Sequence, residues 1–416
     1  MKRLFNQYIA SFSGLPKKIW TLSLVILINR SGTMIIFFLS LYLTRELGYS
    51  IATAGKVIGV YGLGALLGCY AGGQFVDRYG AHRIQFFSLL LSGLFLILCG
   101  YLRNLEWLTI CLFVQSAISD AFRPANLSSI TEACPSEVRA RGFALNRLAI
   151  NLGLAIGPAI GGLLATKKYL YLFWADGLTC IIAALVFLIL TRNWEHPVRR
   201  EHTSTLSQTG PFQNRFFMAL MGFVFLLGVV FNQIFTTWPL YMRNQCGFPE
   251  DIIGLFIMMN AVLIVFFEMP LVRKVEKKPP FNIMIWGGLL LFTGISALPI
   301  SHHLSYVLFT VILWTFGEMM IFPLLSMIVS ELASESNRGK YMGFFTLTFS
   351  ACFVVSPALG GWLYESYGPT VLWSVMGFIG CFVLIGFYFL KRAYPLHQKK
   401  TQLIIPPVPF SVENSG

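Results

Sequence analysis

Twelve stretches of about twenty mainly apolar residues follow one another along this 416-residue chain, and they constrain its fold more than any other feature. They lie near 20–44, 51–75, 84–102, 107–130, 143–166 and 169–191, then near 216–240, 252–272, 281–300, 304–330, 341–364 and 370–391. In hydrocarbon a segment has no water to satisfy its backbone, so each stretch reads as a membrane-spanning helix. Composition agrees. The chain is 56% hydrophobic and 12% charged, whereas a soluble domain is about 25% charged. The expected fold class is an all-α polytopic membrane protein.

The positions of Lys and Arg orient the spans. Twenty-two fall at the termini and in the connections on one side, among them Lys2, Arg3, Arg78, Arg83, Arg199 and Arg200. Six fall on the other: Arg45, Lys56, Arg103, Lys167, Lys168 and Arg243. The positive-inside rule then makes both termini cytoplasmic; the expected location is the cytoplasmic (inner) membrane. The same rule accounts for the net charge of +13; no basic stripe or nucleic-acid module accompanies it, so no nucleic-acid partner is expected. The polar start leads into the first span without a small-residue cleavage site, so no cleaved leader is expected. The eight cysteines show no CxxC or Cys/His ligand spacing. No metal and no cofactor are expected.

A repeat runs through the chain at a constant shift of 199 residues. Pro124 maps to Pro323, Arg139 to Arg338, Pro158 to Pro357, Gly161–Gly162 to Gly360–Gly361, Trp174 to Trp373, Gly48 to Gly247 and Gly55 to Gly254. Two six-helix bundles are therefore expected, 1–191 and 215–416, joined by a cytoplasmic linker over 192–214. Parallel six-helix repeats are a transporter architecture, with the substrate site between them near the midplane.

Two motifs carry more. The connection after the second span reads "GGQFVDRYGAHR". Gly73 and Gly80 permit a tight turn, Asp77 can accept from helix N-terminal amides, and Arg78 and Arg83 can meet acids or carbonyl ends. At the 199-residue shift stands "RKVEKK", where Glu276 and Lys277 keep the acid–base order. The fifth span carries "NLGLAIGPAIGGLL", whose Gly153, Gly157, Pro158, Gly161 and Gly162 give a flat face and a permitted bend.

Together these stretches resemble the major facilitator superfamily over essentially the whole chain. "GxxxDRxGxxR" is similar to its signature loop, and "GxxxGPxxGG" resembles the fifth-helix motif of its drug:proton antiporters. The resemblance implies twelve helices in two pseudo-symmetric bundles that rock to give alternating access. It also implies a cytoplasmic latch of Asp77, Arg78 and Arg83 favouring the outward-facing state, and a sliding or bending interface at the fifth-helix glycines. "RPANLSSI", "GFALNRLAINLG" and "GEMMIFPLLSMIVSEL" further resemble parts of the proton-dependent oligopeptide transporters, with Arg123 where a fourth-helix lysine is usual and Glu318 on a tenth-helix glutamate. The first span departs from that family. "ILINRSG" keeps Arg30 but carries no glutamate, and the first-helix acid common in multidrug antiporters is missing as well.

Charges inside spans are expensive and mark cavities. "SDAFRP" puts Asp120 and Arg123 three apart on one helix, as a self-neutralised brace or as a cavity wall. Shifted by 199, Ser119 lands on Glu318, an acid with no base at helical spacing in its own span. Asp120 and Glu318 are the candidate proton sites. Arg30, beside Asn29, lines the cavity or packs against Asp120. Arg147 lines it or snorkels to the headgroups, with Asn151 one turn on. Asn232, Gln233 and Trp238 of the seventh span and Trp314 of the tenth are candidates for the opposite wall. Asp176 and Glu268, near span ends, read as interfacial.

The expected function is proton-coupled export of small amphipathic molecules or drugs by a monomer working by alternating access. The alternative is a proton-coupled symporter importing a peptide, amino acid or sugar. An enzyme is not expected, since neither HExxH nor GxSxG occurs.

Overall fold

The computed structural model describes residues 14–135, 138–194, 211–275, 278–333 and 338–404, and side chains among these except at 139–140, 338–339 and 395–404. Lys2, Arg3, Arg199, Arg200, Glu276 and Lys277, most of the linker, and the side chains of Arg139 and Arg338 lie outside the described residues.

Twelve helices are long and apolar enough to cross a membrane. They are α1 (Lys17–Glu46), α2 (Ile51–Tyr79), α3 (Ala81–Cys99), α4 (Leu105–Ala133), α5 (Arg141–Ala165) and α6 (Leu170–Thr191) in the first half. The second half holds α7 (Arg215–Phe235), α8 (Glu250–Val275), α9 (Pro280–Ile300), α10 (Leu304–Leu332), α11 (Lys340–Tyr367) and α12 (Pro369–Tyr394). Successive helices run in opposite directions, so α1 and α7 begin, and α6 and α12 finish, at one end of the molecule. We call this the terminal end, and the opposite one the far end.

The 199-residue shift is visible in single hydrogen bonds. Gly48 and Gly247 both adopt left-handed φ, +74° and +73°, a conformation glycine takes without a Cβ penalty. In each turn the next residue bonds back six positions: Tyr49 N–H to Leu43 O and Phe248 N–H to Met242 O, both at 3.0 Å.

The first and seventh spans are not the single helices expected from their apolar runs. α1 is interrupted between Ser31 and Ile35, and its last turn, Tyr42–Glu46, is a wider π-type turn. The seventh stops at Phe231, tightens into a 3₁₀ turn over Asn232–Phe235 and restarts as the helix Thr237–Asn244. Thr33 and Asn232, again 199 apart, sit at the two breaks. Pro239 explains the second, because in a continuous helix its ring would meet the carbonyl of Phe235. At the first, Ser31 Oγ bonds back to Leu27 O at 2.8 Å, a contact that bends helices. The amides of Met34 and Ile35 beyond it donate instead to Asp176 Oδ2 of α6, both at 3.2 Å.

Two helix pairs make most of the contact between the halves, α2 with α11 and α5 with α8, and both pack through backbone. A side chain at Gly55 would collide with the carbonyl of Pro357, and one at Gly254 with that of Pro158. Gly59 and Gly62 likewise face the carbonyls of Val354 and Phe353, and Gly162 that of Glu250. These contacts lie toward the far end. Further along α2, Gly64, Gly68 and Gly72 face α4 instead, and Gly73 would meet nothing.

Candidate substrate cavity

Between the halves lies a cavity of about 480 Å³, lined by both. Its two walls differ in chemistry. The first half presents Asn29, Arg30, Ser92, Gln115, Asp120, Arg123 and Asp176 beside Ile35, Ile36, Phe37, Tyr61, Leu96 and Leu154; the second presents Phe231, Phe235, Phe322, Phe349 and Phe353, with Asn232, Glu318, Thr346 and Ser350 among them. The rings form one cluster: Phe231 stands 4.9 Å from Phe322 and 5.9 Å from Phe235, and Phe322 5.5 Å from Phe349. Phe37 and Tyr61 of the first half reach across to Phe235 and Phe353, at 5.3 and 6.3 Å between centroids.

The breaks in α1 and α7 position much of this. Arg30 is in the last turn before the first break and Asn232 opens the second. The glycine face of α5 makes the first break possible, since side chains at Gly153, Gly157 and Gly161 would run into Arg30, Thr33 and Met34.

The charged groups are partnered unequally. Asp120 Oδ1 accepts from Arg123 Nε at 2.6 Å, across the point where α4 is interrupted at Ala121. Glu318 Oε2 accepts from Asn260 Nδ2 of α8 at 3.0 Å, and Asn260 also donates to Thr315 Oγ1 at 3.0 Å. The Arg30 side chain makes no hydrogen bond or ion pair among the described residues, and its Nε is buried without a partner. Asp120 and Asp176 share its cavity wall without pairing with it directly, so its charge is only partly compensated in a low-dielectric setting. Any anionic group entering the cavity relieves it.

Of the residues expected to line the cavity, Asn29, Arg30, Asp120, Arg123, Asn232 and Glu318 share its wall, and Arg147, Asn151, Gln233, Trp238 and Trp314 stand elsewhere. Gln233 is a packing clamp: it donates to Ser356 O and Oγ at 3.0 and 2.9 Å and accepts from Thr237 Oγ1 at 2.7 Å. Trp238 and Trp314 are buried beside the cavity with unpartnered indole N–H groups, and Trp238 packs edge-on against Phe256. Asn151 is off the wall. Arg147 neither lines the cavity nor merely snorkels: it is paired with Glu268 of α8, tying the halves together toward the terminal end. Glu268 is correspondingly buried, not interfacial. Asp176 is buried as well and lines the cavity, because it caps the amides that the break in α1 releases. The aromatic wall is what the sequence reading missed; its signal was the density of Phe in α7 and α11.

In the signature loop, Gly80 holds φ +86° between α2 and α3, and the Arg78 guanidinium lies 5.2 Å from the Tyr79 ring centre. Arg83 is exposed, and Asp77 stands in the last turn of α2.

A twelve-helix membrane chain with a charged cavity between repeated halves is a transporter architecture, and comparison with known proteins agrees. The family model described as Major Facilitator Superfamily matches residues 21–351 and 283–412. The chain belongs to the Major Facilitator Superfamily. Among curated relatives, it is 22% identical to a Na(+), Li(+), K(+)/H(+) antiporter of Planococcus maritimus, over 90% of this chain and 94% of that protein. It is 23% identical to multidrug resistance protein MdtH of Photorhabdus laumondii, over 89% and 92%. Among solved structures, the peptide transporter POT in complex with sulfate superimposes with a TM-score of 0.77 at 17% identity, over 93% of this chain and 96% of that one. At that identity the likeness concerns the fold.

Proposed function

We propose that this transporter works by alternating access as a proton-coupled exporter of small amphipathic molecules, with its halves, 1–191 and 215–416, rocking about the cavity. The observation that carries the reading is one cavity that combines a cluster of charged side chains on the first half, Arg30, Asp120, Arg123 and Asp176, with a cluster of phenylalanines on the second. A molecule with a polar head and a ring-bearing body matches both, and a wholly polar nutrient leaves the phenylalanines uncovered. Glu318 and Asp120 serve as the proton sites, since each is a carboxylate on the cavity wall. Arg30 takes an anionic or electron-rich group of the substrate, and Arg123 neutralises Asp120.

Export is supported by the fifth-helix motif and by relatives named as a multidrug resistance protein and a cation/proton antiporter. The basic end is cytoplasmic, with both termini, in the inner membrane, and the protein acts as a monomer. Contacts at the far end then make this the inward-facing arrangement, in which Arg123 and Arg147 keep 49% of their side-chain exposure.

The test is flux of a fluorescent amphipathic dye in vesicles of reconstituted protein under an imposed pH gradient. Dye moving against the proton flow supports antiport; dye following the protons identifies a symporter, and flux indifferent to the gradient sinks the proton coupling.

A further inference from the structure

α2 and α11 are neighbours from opposite halves and run antiparallel, so the last turn of each lies level with the first turn of the other. At the far end Glu365, in the last turns of α11, places Oε2 2.6 Å from the backbone N–H of Ala52, which donates to it. Ala52 is in the first turn of α2, where amides lack an intrahelical acceptor and partial positive charge collects. The N-cap side chain, Ser50 Oγ, already accepts from Thr53 N–H at 3.2 Å. The second acceptor for this helix end therefore comes from the other half of the protein. The packing just inside it, Gly55 on Pro357 and Gly59 on Val354, is backbone against backbone and holds by contact alone.

The repeat shows that this bond is particular to one interface. The residue 199 before Glu365 is Thr166, which cannot present a carboxylate, and the first turn of α8 uses its own Asp251, whose Oδ1 accepts from Ile252 N–H at 2.9 Å. Asp77 stands at the other end of the α2/α11 pair, in the last turn of α2, level with the first turn of α11. Each of the two helices thus carries a carboxylate at its C-terminal end, level with its neighbour's N-terminal amides.

We propose that Glu365 is a far-end latch of the transport cycle, engaged while the cavity faces the terminal end and released as α2 and α11 rock apart. At the terminal end, Asp77 belongs to the latch that the signature-loop resemblance already implies, and Glu365 is its counterpart for the opposite state. The proposal rests on the alternating-access reading above.

The test uses the full chain in nanodiscs with Cys381→Ser, spin-labelled at Lys167→Cys and His303→Cys, exposed far-end positions in opposite halves. The distance distribution reports whether the far end is closed. Glu365→Gln is expected to raise the ratio of far-end-open to far-end-closed molecules about threefold to tenfold, the scale of one hydrogen bond to an exposed charged group. Asp77→Asn is expected to lower it. If Glu365→Gln leaves the distribution unchanged while Asp77→Asn shifts it, alternating access stands and the latch role of Glu365 falls. A single distance that neither variant nor a pH gradient alters overturns alternating access itself, and the latch with it.

Discussion

Gly254 lies so close to the main-chain carbonyl of Pro158, in the other half of the chain, that no side chain fits between them. Gly55 and Pro357 repeat the relationship 199 residues away. The two prolines interrupt the hydrogen-bond ladders of α5 and α11, freeing the carbonyls of Leu154 and Phe353 one turn back. Both of those residues reach the cavity. The interface and the cavity are thus built from the same proline-containing turns.

Gly254→Val and Gly55→Val should each destabilise the protein by about 1–3 kcal/mol, the usual effect of forcing methyl groups into a filled contact. Gly222→Val is the control, since a side chain there meets nothing. Thermal unfolding in detergent reads the difference, and flux should fall in the first two variants only.

Glu318→Gln keeps an oxygen for Asn260 to donate to but cannot carry a proton. Uptake of dye into inverted vesicles driven by a pH gradient should fall at least about tenfold, whereas dye–dye exchange without a gradient should persist. Undiminished gradient-driven flux would remove Glu318 from the coupling.

Arg30→Gln removes the cavity cation whose guanidinium makes no direct ion pair among the described residues. Affinity for anionic amphiphiles should weaken about tenfold to a hundredfold, the range for hydrogen bonds to charged groups, with neutral analogues little changed. Equal weakening for both would mean that Arg30 acts on packing.

Arg147 and Glu268 link α5 to α8 across the halves, and the Arg147 side chain is half exposed, which limits the pair's worth. A double-mutant cycle with Arg147→Gln and Glu268→Gln should give a coupling of about 1 kcal/mol. The positions 199 away from the pair are Cys69 and Thr346, which cannot form one, so only one of the two interfaces is tied at this level.

Much of this molecule is written in periodicity. Spans, their alternation and the repeat depend on apolar runs and on residues such as Gly48 and Gly247, which keep their place because a left-handed turn needs them. The cavity was legible where charge is conspicuous, at Arg30, Asp120, Arg123 and Glu318. It was illegible where a residue's role depends on a break that no proline marks. Asp176 looks like an acid near a span end until α1 is seen to open beside it, and Glu268 looks interfacial until Arg147 arrives from another half. Gln233 and Trp238 misled for the opposite reason: polarity in an apolar helix reads as a cavity wall, yet here it is consumed by Ser356 or packed under Phe256.

Glycine against carbonyl at both interfaces has a mechanical consequence. Side chains that interlock must leave their rotamer wells before two helices can roll past one another, whereas smooth backbone surfaces have nothing to withdraw. The resistance to rocking then concentrates in a few discrete bonds, among them Ala52 with Glu365, Tyr169 with Glu250 at 2.9 Å, and Arg147 with Glu268. A molecule jointed this way behaves as two stiff blocks on a low-friction bearing, its timing set by the catches rather than by the bearing.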